Sequence, residues 1–300
     1  MTNPERKKAF IDSLSESLRA QNLRYLTFFS DIEDETGRDL AELRKEEIGK
    51  IISANYGLLT SSKNLFIGCI KRYLVWSREN GYVDSIPDIG DTCIVQEDAI
   101  REKMVSSPLH LQMQLNKVFH PEKYETIDCV GRAYLWMAFI GIRQGESLRL
   151  KNGQVDLVNR EITIGVNVFD MPKEALLSIT QCVTLKSFNS IHPLYGQLVT
   201  RSRVESDIVL RGIKAMPTVC GLNATVIKKE TDYFKPSYNT IRLSGMFYRT
   251  FNRERADQNP NFYNLALELS EGKDVSARTI KRKTVNLQKD YEEWKNAFRT

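Results

Sequence analysis

The chain has 300 residues, of which 41% are hydrophobic and 27% are charged, a balance typical of a folded protein of about two domains. No stretch approaches the roughly 20 consecutive apolar residues that a membrane span needs. The polar start at Met1–Lys8 is followed by no apolar signal region. These features exclude a disordered or membrane-spanning chain and predict a cytoplasmic protein with no membrane partner.

The net charge of +5 is distributed unevenly. Residues 31–48 are rich in Asp and Glu, whereas residues 278–283 read Arg-Thr-Ile-Lys-Arg-Lys. A local positive surface of this kind is compatible with nucleic acid, although proteins of many other functions carry as much charge.

The cysteines and histidines do not have the spacing of a metal site. The five cysteines include no Cys-x-x-Cys pair, and the chain has only three histidines. This pattern argues against zinc and against a disulfide framework, so we predict buried free thiols and neither metal nor cofactor. The cysteines are Cys69, Cys93, Cys129, Cys182 and Cys220.

The first part of the chain has only helical periodicity. Apolar residues recur at steps of three and four through residues 10–52, as on the buried face of amphipathic helices. A further helix is predicted over 62–80, with Gly81 as its stop. Residues 1–83 form the first predicted domain, and residues 84–96, with proline, glycine and three aspartates, form the linker.

Residues 97–300 combine helices with a few short strands and form the second predicted domain. Periodicity predicts helices over 97–105, 109–118, 126–139, 238–255 and 262–298. Two strands are predicted at 161–166 and 175–180, with Lys173 in the turn between them. The predicted fold class is mainly α with a small β-sheet (α+β), in a two-domain architecture.

The most informative motif lies at the end of the apolar helix. That helix stops at Gly141, Arg143 follows, and Glu146 comes one helical turn later, ahead of Val155-Asp156 and the first strand. The pattern resembles the first active-site motif of tyrosine recombinases (phage integrases). In that family the planar arginine fork holds two oxygens of one DNA phosphate. By itself, Arg143 is equally consistent with a surface arginine paired with Glu146.

A second motif of this family, His-x-x-Arg, corresponds to Asn239-Thr-Ile-Arg242. The resemblance makes Arg242 the second phosphate arginine and puts Asn239 in place of the histidine. Asparagine can bond a phosphate oxygen but cannot exchange a proton near neutral pH. The last histidine of the chain is His192, so the later histidine of a recombinase site is absent too.

The family's nucleophilic tyrosine corresponds to residues 272–277, which contain no tyrosine. Tyr263 precedes this window, and Tyr291 follows it in the acidic context Asp-Tyr-Glu-Glu-Trp. We expect Tyr291 to be a packed structural aromatic, with a displaced nucleophile as the alternative. Lys173 is the best match to the family's catalytic lysine, although a solvated turn lysine looks the same in sequence.

The N-terminal helices resemble the SAM-like core-binding domain of the same family, a helical module that grips one face of duplex DNA. The start of the helix at 62–80 also offers free backbone amides to a phosphate. The residues that the resemblance and the local charge predict to bind DNA are Lys63, Lys71, Arg72, Arg143, Lys173, Arg242, Arg278, Lys281, Arg282 and Lys283.

What the resemblance implies for function depends on which parts of the recombinase site remain. Both arginines are present, while the late histidines and the nucleophile are missing, which favours a DNA-binding regulator without recombinase activity. Residues 242–249 and 289–294 are similar to integrase-like lysogeny repressors of SPβ-type prophages. That similarity implies a bacterial, nucleoid-associated protein.

The partners expected from this resemblance are double-stranded DNA, a homo-oligomer on DNA, and a protein or peptide antagonist. Two other interpretations stay open. One is an active recombinase that uses Tyr291, and the other is a helical protein-interaction module.

Overall fold

The computed structural model describes residues 3–56, 59–90, 97–119, 126–184, 187–191, 198–203, 209–210, 234, 236–270 and 274–299. The helices in these ranges are α1 (Pro4–Ser13), α2 (Glu16–Thr27), α3 (Ser30–Thr36), α4 (Lys45–Tyr56), α5 (Thr60–Glu79), α6 (Glu97–Lys103), α7 (Pro108–Val118), α8 (Thr126–Ile140), α9 (Gln144–Ser147), α10 (Leu176–Thr184), α11 (Tyr238–Arg255), α12 (Phe262–Glu268) and α13 (Ala277–Phe298). The strands are β1 (Val155–Asp156), β2 (Glu161–Ile164), β3 (Asn167–Asp170), β4 (Ser187–Ile191) and β5 (Leu198–Arg203).

The fold class predicted from sequence is confirmed. Helices dominate, and β1, β2 and β3 form a small antiparallel sheet in that order. Ile162 lies opposite Val155 on one side and Phe169 on the other, and its side chain is fully buried. Strands β4 and β5 pair separately as an antiparallel hairpin. Across the described ranges, no helix has the length and the apolar character needed to cross a membrane.

The strand predicted at 175–180 is wrong, because this segment lies in a short 3-10 turn and in α10. Ala175, Ile179 and Cys182 are buried together, which is the three- and four-residue spacing of a helix rather than the alternation of a strand. The strand predicted at 161–166 ends earlier, at Ile164, and pairs with β3. Gly165, at φ +61°, lies in the tight turn between β2 and β3.

The helical tail predicted over 262–298 consists of two helices, α12 and α13. Residues 271–273 lie outside the described ranges. Ser276 caps the second helix, since its hydroxyl oxygen accepts a hydrogen bond from the Thr279 N–H at 3.3 Å. The other predicted helices start and end within two residues of the observed bounds.

Contacts divide the chain into two compact units. The first comprises Met1–Ile100 with Phe262–Ala297, and the second comprises Arg101–Asn261 with Phe298–Thr300. The sequence boundaries at 83 and 97 stay predictions, and residues 91–96 of the predicted linker lie outside the described ranges. Ile89, from the described part of that segment, is fully buried in the core of the first unit.

Aromatic side chains form the core of the first unit. The ring of Phe66 on α5 lies 4.8 Å from that of Tyr25, 5.7 Å from that of Phe28 and 6.0 Å from that of Phe29. Such contacts exclude water and add edge and offset ring interactions to the area buried. They hold α2 and the start of α3 against α5.

The core of the second unit is built around α8. Every side chain from Cys129 to Ile142 is buried, so this helix has no solvent-facing side over that length. Neighbours that pack on it include α10 and α11. Cys129 and Cys182 are buried and free in this unit, as is Cys69 in the first. The predicted free thiols are therefore confirmed at these three positions, while Cys93 and Cys220 lie outside the described residues.

Candidate functional site

The C-terminal end of α8 is closed by a Schellman turn. Gly141 takes a positive φ of +113°, and its N–H donates to the Ala138 carbonyl at 2.9 Å. The Ile142 N–H reaches back to the Met137 carbonyl at 3.1 Å. The turn ends the helix abruptly and directs the chain into Arg143.

Helix α11 packs directly on the backbone of this turn. A Cβ atom at residue 245 would overlap the Phe139 carbonyl oxygen, so Gly245 is the residue that lets the two helices touch. Arg242 lies about one helical turn before Gly245 and Arg249 about one turn after it. All three therefore face the end of α8.

Three side chains of α11 donate to three carbonyls at the end of α8 and its turn. Arg249 Nη1 lies 2.8 Å from the Phe139 oxygen, Arg242 Nε lies 2.9 Å from the Gly141 oxygen, and the Tyr238 hydroxyl lies 2.9 Å from the Ile142 oxygen. The last carbonyls of a helix have no partner within it and carry partial negative charge. The two guanidinium groups supply both the missing hydrogen-bond donors and a positive charge.

Arg143 lies immediately after this turn and before α9. Its backbone N–H donates to Glu146 Oε2 at 3.1 Å, and its Nη1 lies 4.0 Å from Glu146 Oε1. The arginine side chain is 35% exposed and the glutamate 27%. Glu146 thus orients the arginine, and about a third of the arginine side chain is exposed.

Two predicted site residues, Arg143 and Arg242, therefore meet at the same end of α8. Asn239 is exposed on the first turn of α11, three residues before Arg242 and on the same helical face. Beneath them, burial raises the pKa of Tyr134 to about 12, although the Gln144 amide donates to its oxygen at 2.5 Å. Burial likewise raises the pKa of Tyr238. Both phenols therefore stay neutral, and their rings pack against each other at 4.5 Å.

Lys173 does not lie between two strands as predicted. The turn between β2 and β3 is at Gly165, and Lys173 is exposed in the 3-10 turn that follows β3. Residues 161–170, which form this hairpin, contain no lysine. The prediction failed because the second strand was assigned to residues that are helical.

Tyr291 lies on the buried face of α13 and is 1% exposed. Its ring lies 6.1 Å from that of Trp294, 5.4 Å from that of Phe262, and 4.8 Å from the Lys295 ammonium. Its position is that of an aromatic packing residue.

The basic run at the start of α13 separates onto two sides of the helix. Arg278, Lys281 and Arg282 are exposed, whereas Lys283 is half-buried and donates to the Ser270 hydroxyl at 2.6 Å. Three of these four predicted DNA-binding residues are therefore available to a large anion, and the fourth joins α13 to the end of α12.

A comparison with known protein families gives a match for the N-terminal helices. Residues 1–79 match the family model described as MrpR, N-terminal core-binding domain. Over these residues the chain is similar to an MrpR-type core-binding domain. This is a domain of the tyrosine-recombinase kind, which suggests DNA binding and confirms the resemblance over this part of the chain. No curated protein sequence matches the chain.

The predicted basic residues of this MrpR-type domain have different surroundings. Lys63 is half-buried, and the half-exposed Lys71 lies 3.6 Å from Asp88. Arg72 points inward, where it donates to the Asn22 oxygen at 3.4 Å and contacts the Cys69 sulphur at 2.9 Å. Arg72 thus joins α5 to α2, which is a structural role that its sequence position did not reveal.

Sequence reasoning did not assign a role to Tyr238, Gly245 or Arg249. Together with Arg242 they form one stripe on α11 at helical spacing, and a glycine within such a stripe indicates close backbone approach. That spacing is visible in the sequence. The partner of the stripe is not visible there, because even the contact closest in sequence joins residues 96 positions apart.

Proposed function

We propose that this protein is a sequence-specific DNA-binding regulator, of the phage or prophage repressor type, on a tyrosine-recombinase fold that has lost recombination chemistry. The observation that carries the proposal is the meeting of Arg143 and Arg242 at the end of α8 without the groups that chemistry would need. The MrpR-type core-binding domain at residues 1–79 supports the DNA-binding part.

Two arginines without a nucleophile suit binding better than catalysis. A guanidinium holds a phosphate by charge and by paired hydrogen bonds whether or not the phosphate reacts. Arg143 and Arg242 then position the protein on the DNA backbone, and other residues read the bases. Such a clamp keeps its value for a regulator after strand cleavage is lost.

The groups that cleave DNA in the family have no good counterparts here. Asn239 occupies the place of the histidine, the β2–β3 hairpin contains no lysine, and residues 272–277 contain no tyrosine. Tyr291 is buried among aromatic rings, and a nucleophile must reach the phosphate.

The basic residues of α13 oppose the electrostatics of their own helix. Arg278 lies in its first turn, where the helix dipole is positive and a cation is unfavourable, and Lys281 and Arg282 follow in the second turn. Helix electrostatics therefore do not explain this cluster of positive charge. Contact with DNA phosphates does, because a bound polyanion reverses the unfavourable charge balance.

The test is binding of purified protein to fragments of the genome that encodes it, measured across a range of salt concentrations. Arg143→Ala and Arg242→Ala should each weaken binding and lower the slope of log affinity against log salt by about 0.9. Arg38→Ala removes the same charge from an arginine paired with Glu47, at 2.6 Å in the acidic segment, and should leave the slope unchanged. Unchanged slopes in both clamp variants would contradict the proposal.

The same complexes, run on denaturing gels, separate a regulator from a recombinase. We expect salt-sensitive, sequence-selective binding and no covalent adduct. An adduct that Tyr291→Phe abolishes would make the protein a recombinase. Absence of binding to any fragment at physiological salt would favour a protein-interaction module.

A further inference from the structure

A third arginine, Arg249, lies at the same end of α8, where its guanidinium contacts the backbone of the helix. Its Nη1 donates to the Phe139 carbonyl oxygen at 2.8 Å, and the side chain is half-buried. Its Nη2 lies 2.8 Å from the point where a Cβ at residue 141 would be. Arg249 therefore packs on the turn itself.

The turn at Gly141 is held from two sides by α11. Arg242 donates to the Gly141 oxygen from one side, while Arg249 covers the position of the missing Cβ and bonds the preceding turn of the helix. Because Arg143 follows Gly141 by two residues, the two contacts fix the backbone from which its side chain extends, while Glu146 orients the guanidinium.

We infer that Arg249 is a positioning residue: it fixes the α8 turn so that Arg143 reaches the DNA phosphate that Arg242, which lies on α11 itself, also holds. The inference rests on the proposed function, because it concerns how the phosphate clamp is kept in place. Arg249 makes no phosphate contact of its own in this arrangement.

The role follows from the chemistry at this end of the helix. The carbonyls carry partial negative charge, and a planar guanidinium both satisfies them and lies flat against a residue without a side chain. Loss of Arg249 leaves the Phe139 carbonyl without this donor and opens space over Gly141. The turn then samples other positions, and a displacement of about 1 Å is enough to weaken a two-point contact.

A double-mutant cycle on the full-length chain tests the inference, with DNA affinity and its salt slope as readouts. The variants are Arg143→Ala, Arg249→Ala and the double variant. Arg249→Ala should weaken binding about tenfold and lower the salt slope by about 0.9, as Arg143→Ala does. The double variant should bind no more weakly than Arg143→Ala, with the same slope, because the contact that Arg249 supports is already gone.

Other results overturn the inference in distinguishable ways. A double variant whose slope falls by about 1.8 would show that Arg249 binds a phosphate independently. Unchanged affinity and slope in Arg249→Ala would show that the turn does not need it. If Arg143→Ala itself has no effect while the protein still binds DNA, the clamp of the proposed function fails, and the inference fails with it.

Folding is checked on each variant by thermal unfolding. Where Arg249→Ala fails to fold, Arg249→Met keeps the aliphatic packing and removes only the donor, and the same cycle is read with it.

Discussion

The two units of the molecule hold their helices together by different means. In the first unit, charged and polar side chains are buried and matched with one another. In the second, the almost wholly apolar helix α8 packs against α11, and Gly245 lets the two backbones come into contact. The comparison shows that one chain can specify packing either by pairing charges or by close approach of backbones.

Buried charges in the first unit form two adjoining groups. Lys7 and Glu33 form a fully buried ion pair, and the Leu40 N–H donates to Glu33 at 2.9 Å. Asp39 accepts from the Tyr73 hydroxyl, which lies 2.8 Å from one carboxylate oxygen and 2.9 Å from the other. Burial raises the pKa of Glu33, and the ammonium of Lys7 opposes part of that rise.

In the second unit, the one buried charge among the described side chains of α8, residues 129–140, is Arg132. Its Nη2 donates to the Gln181 side-chain oxygen at 2.8 Å, and no carboxylate among the described residues forms an ion pair with it. The interface with α11 combines hydrogen bonds to neutral backbone carbonyls with close approach, because α11 can reach α8 only where residue 245 has no side chain.

The largest expected effect is that of Gly245→Ala. The added methyl overlaps the Phe139 carbonyl, so α11 must move away from α8, and we expect a loss of about 4 kcal/mol or more in the free energy of unfolding. Gly68→Ala on α5 is the matched control, since its Cβ would meet nothing within 4 Å. It should be neutral or stabilise by about 0.5–1 kcal/mol. Hydrogen exchange resolved by segment measures each unit, and similar results for both variants would contradict the close approach.

The next effect is expected from Lys7→Met in the first unit. Removing one partner of a buried pair leaves an uncompensated charge, at a cost of about 3–5 kcal/mol. Adding Glu33→Gln removes that charge and keeps an acceptor for Leu40, so the double variant should recover part of the loss. Equal destabilisation of single and double variants would show that charge matching does not hold this unit together.

A smaller effect compares one buried hydroxyl from each unit. Tyr73→Phe removes hydrogen bonds to a carboxylate and should cost about 2 kcal/mol. Tyr238→Phe removes a bond to the neutral Ile142 carbonyl and should cost about 1 kcal/mol. Urea unfolding of both variants gives the difference, and the reverse order would contradict the contrast between charged and neutral interiors.

The smallest effect is a pH dependence in the second unit. Burial lowers the pKa of His110 from 6.5, and the Ser106 N–H donates to its Nδ1 at 3.2 Å, which requires the neutral ring. The unfolded chain then binds the proton more readily, so stability falls as the pH falls below about 6.5. His110→Gln should remove this dependence, measured as the difference in unfolding free energy between pH 7.5 and 5. Glu33 has the opposite sign, since its raised pKa makes its contribution fall as pH rises above 4.5.

Much of the secondary structure could be predicted because helical periodicity is a local property. Helix α11 was predicted with its observed bounds, and α8 nearly so, since apolar spacing and stop signals lie within each segment. The segment 175–180 was assigned to a strand because a short apolar run does not distinguish the two periods. Because this strand was wrong, the prediction that Lys173 lies in a turn between two strands was wrong as well.

The sequence by itself determined the helical fold class, the one-turn spacing of Arg143 and Glu146, and the absence of a tyrosine at 272–277. Each depends on residue identity or on neighbours within a turn or two. Only the tertiary structure decided that Arg242 and Arg249 close the end of α8, that Arg72 faces inward, and that Tyr291 is buried. Those outcomes depend on which distant helices meet, and the contact between Gly245 and Phe139 is set by a backbone distance that no local pattern encodes.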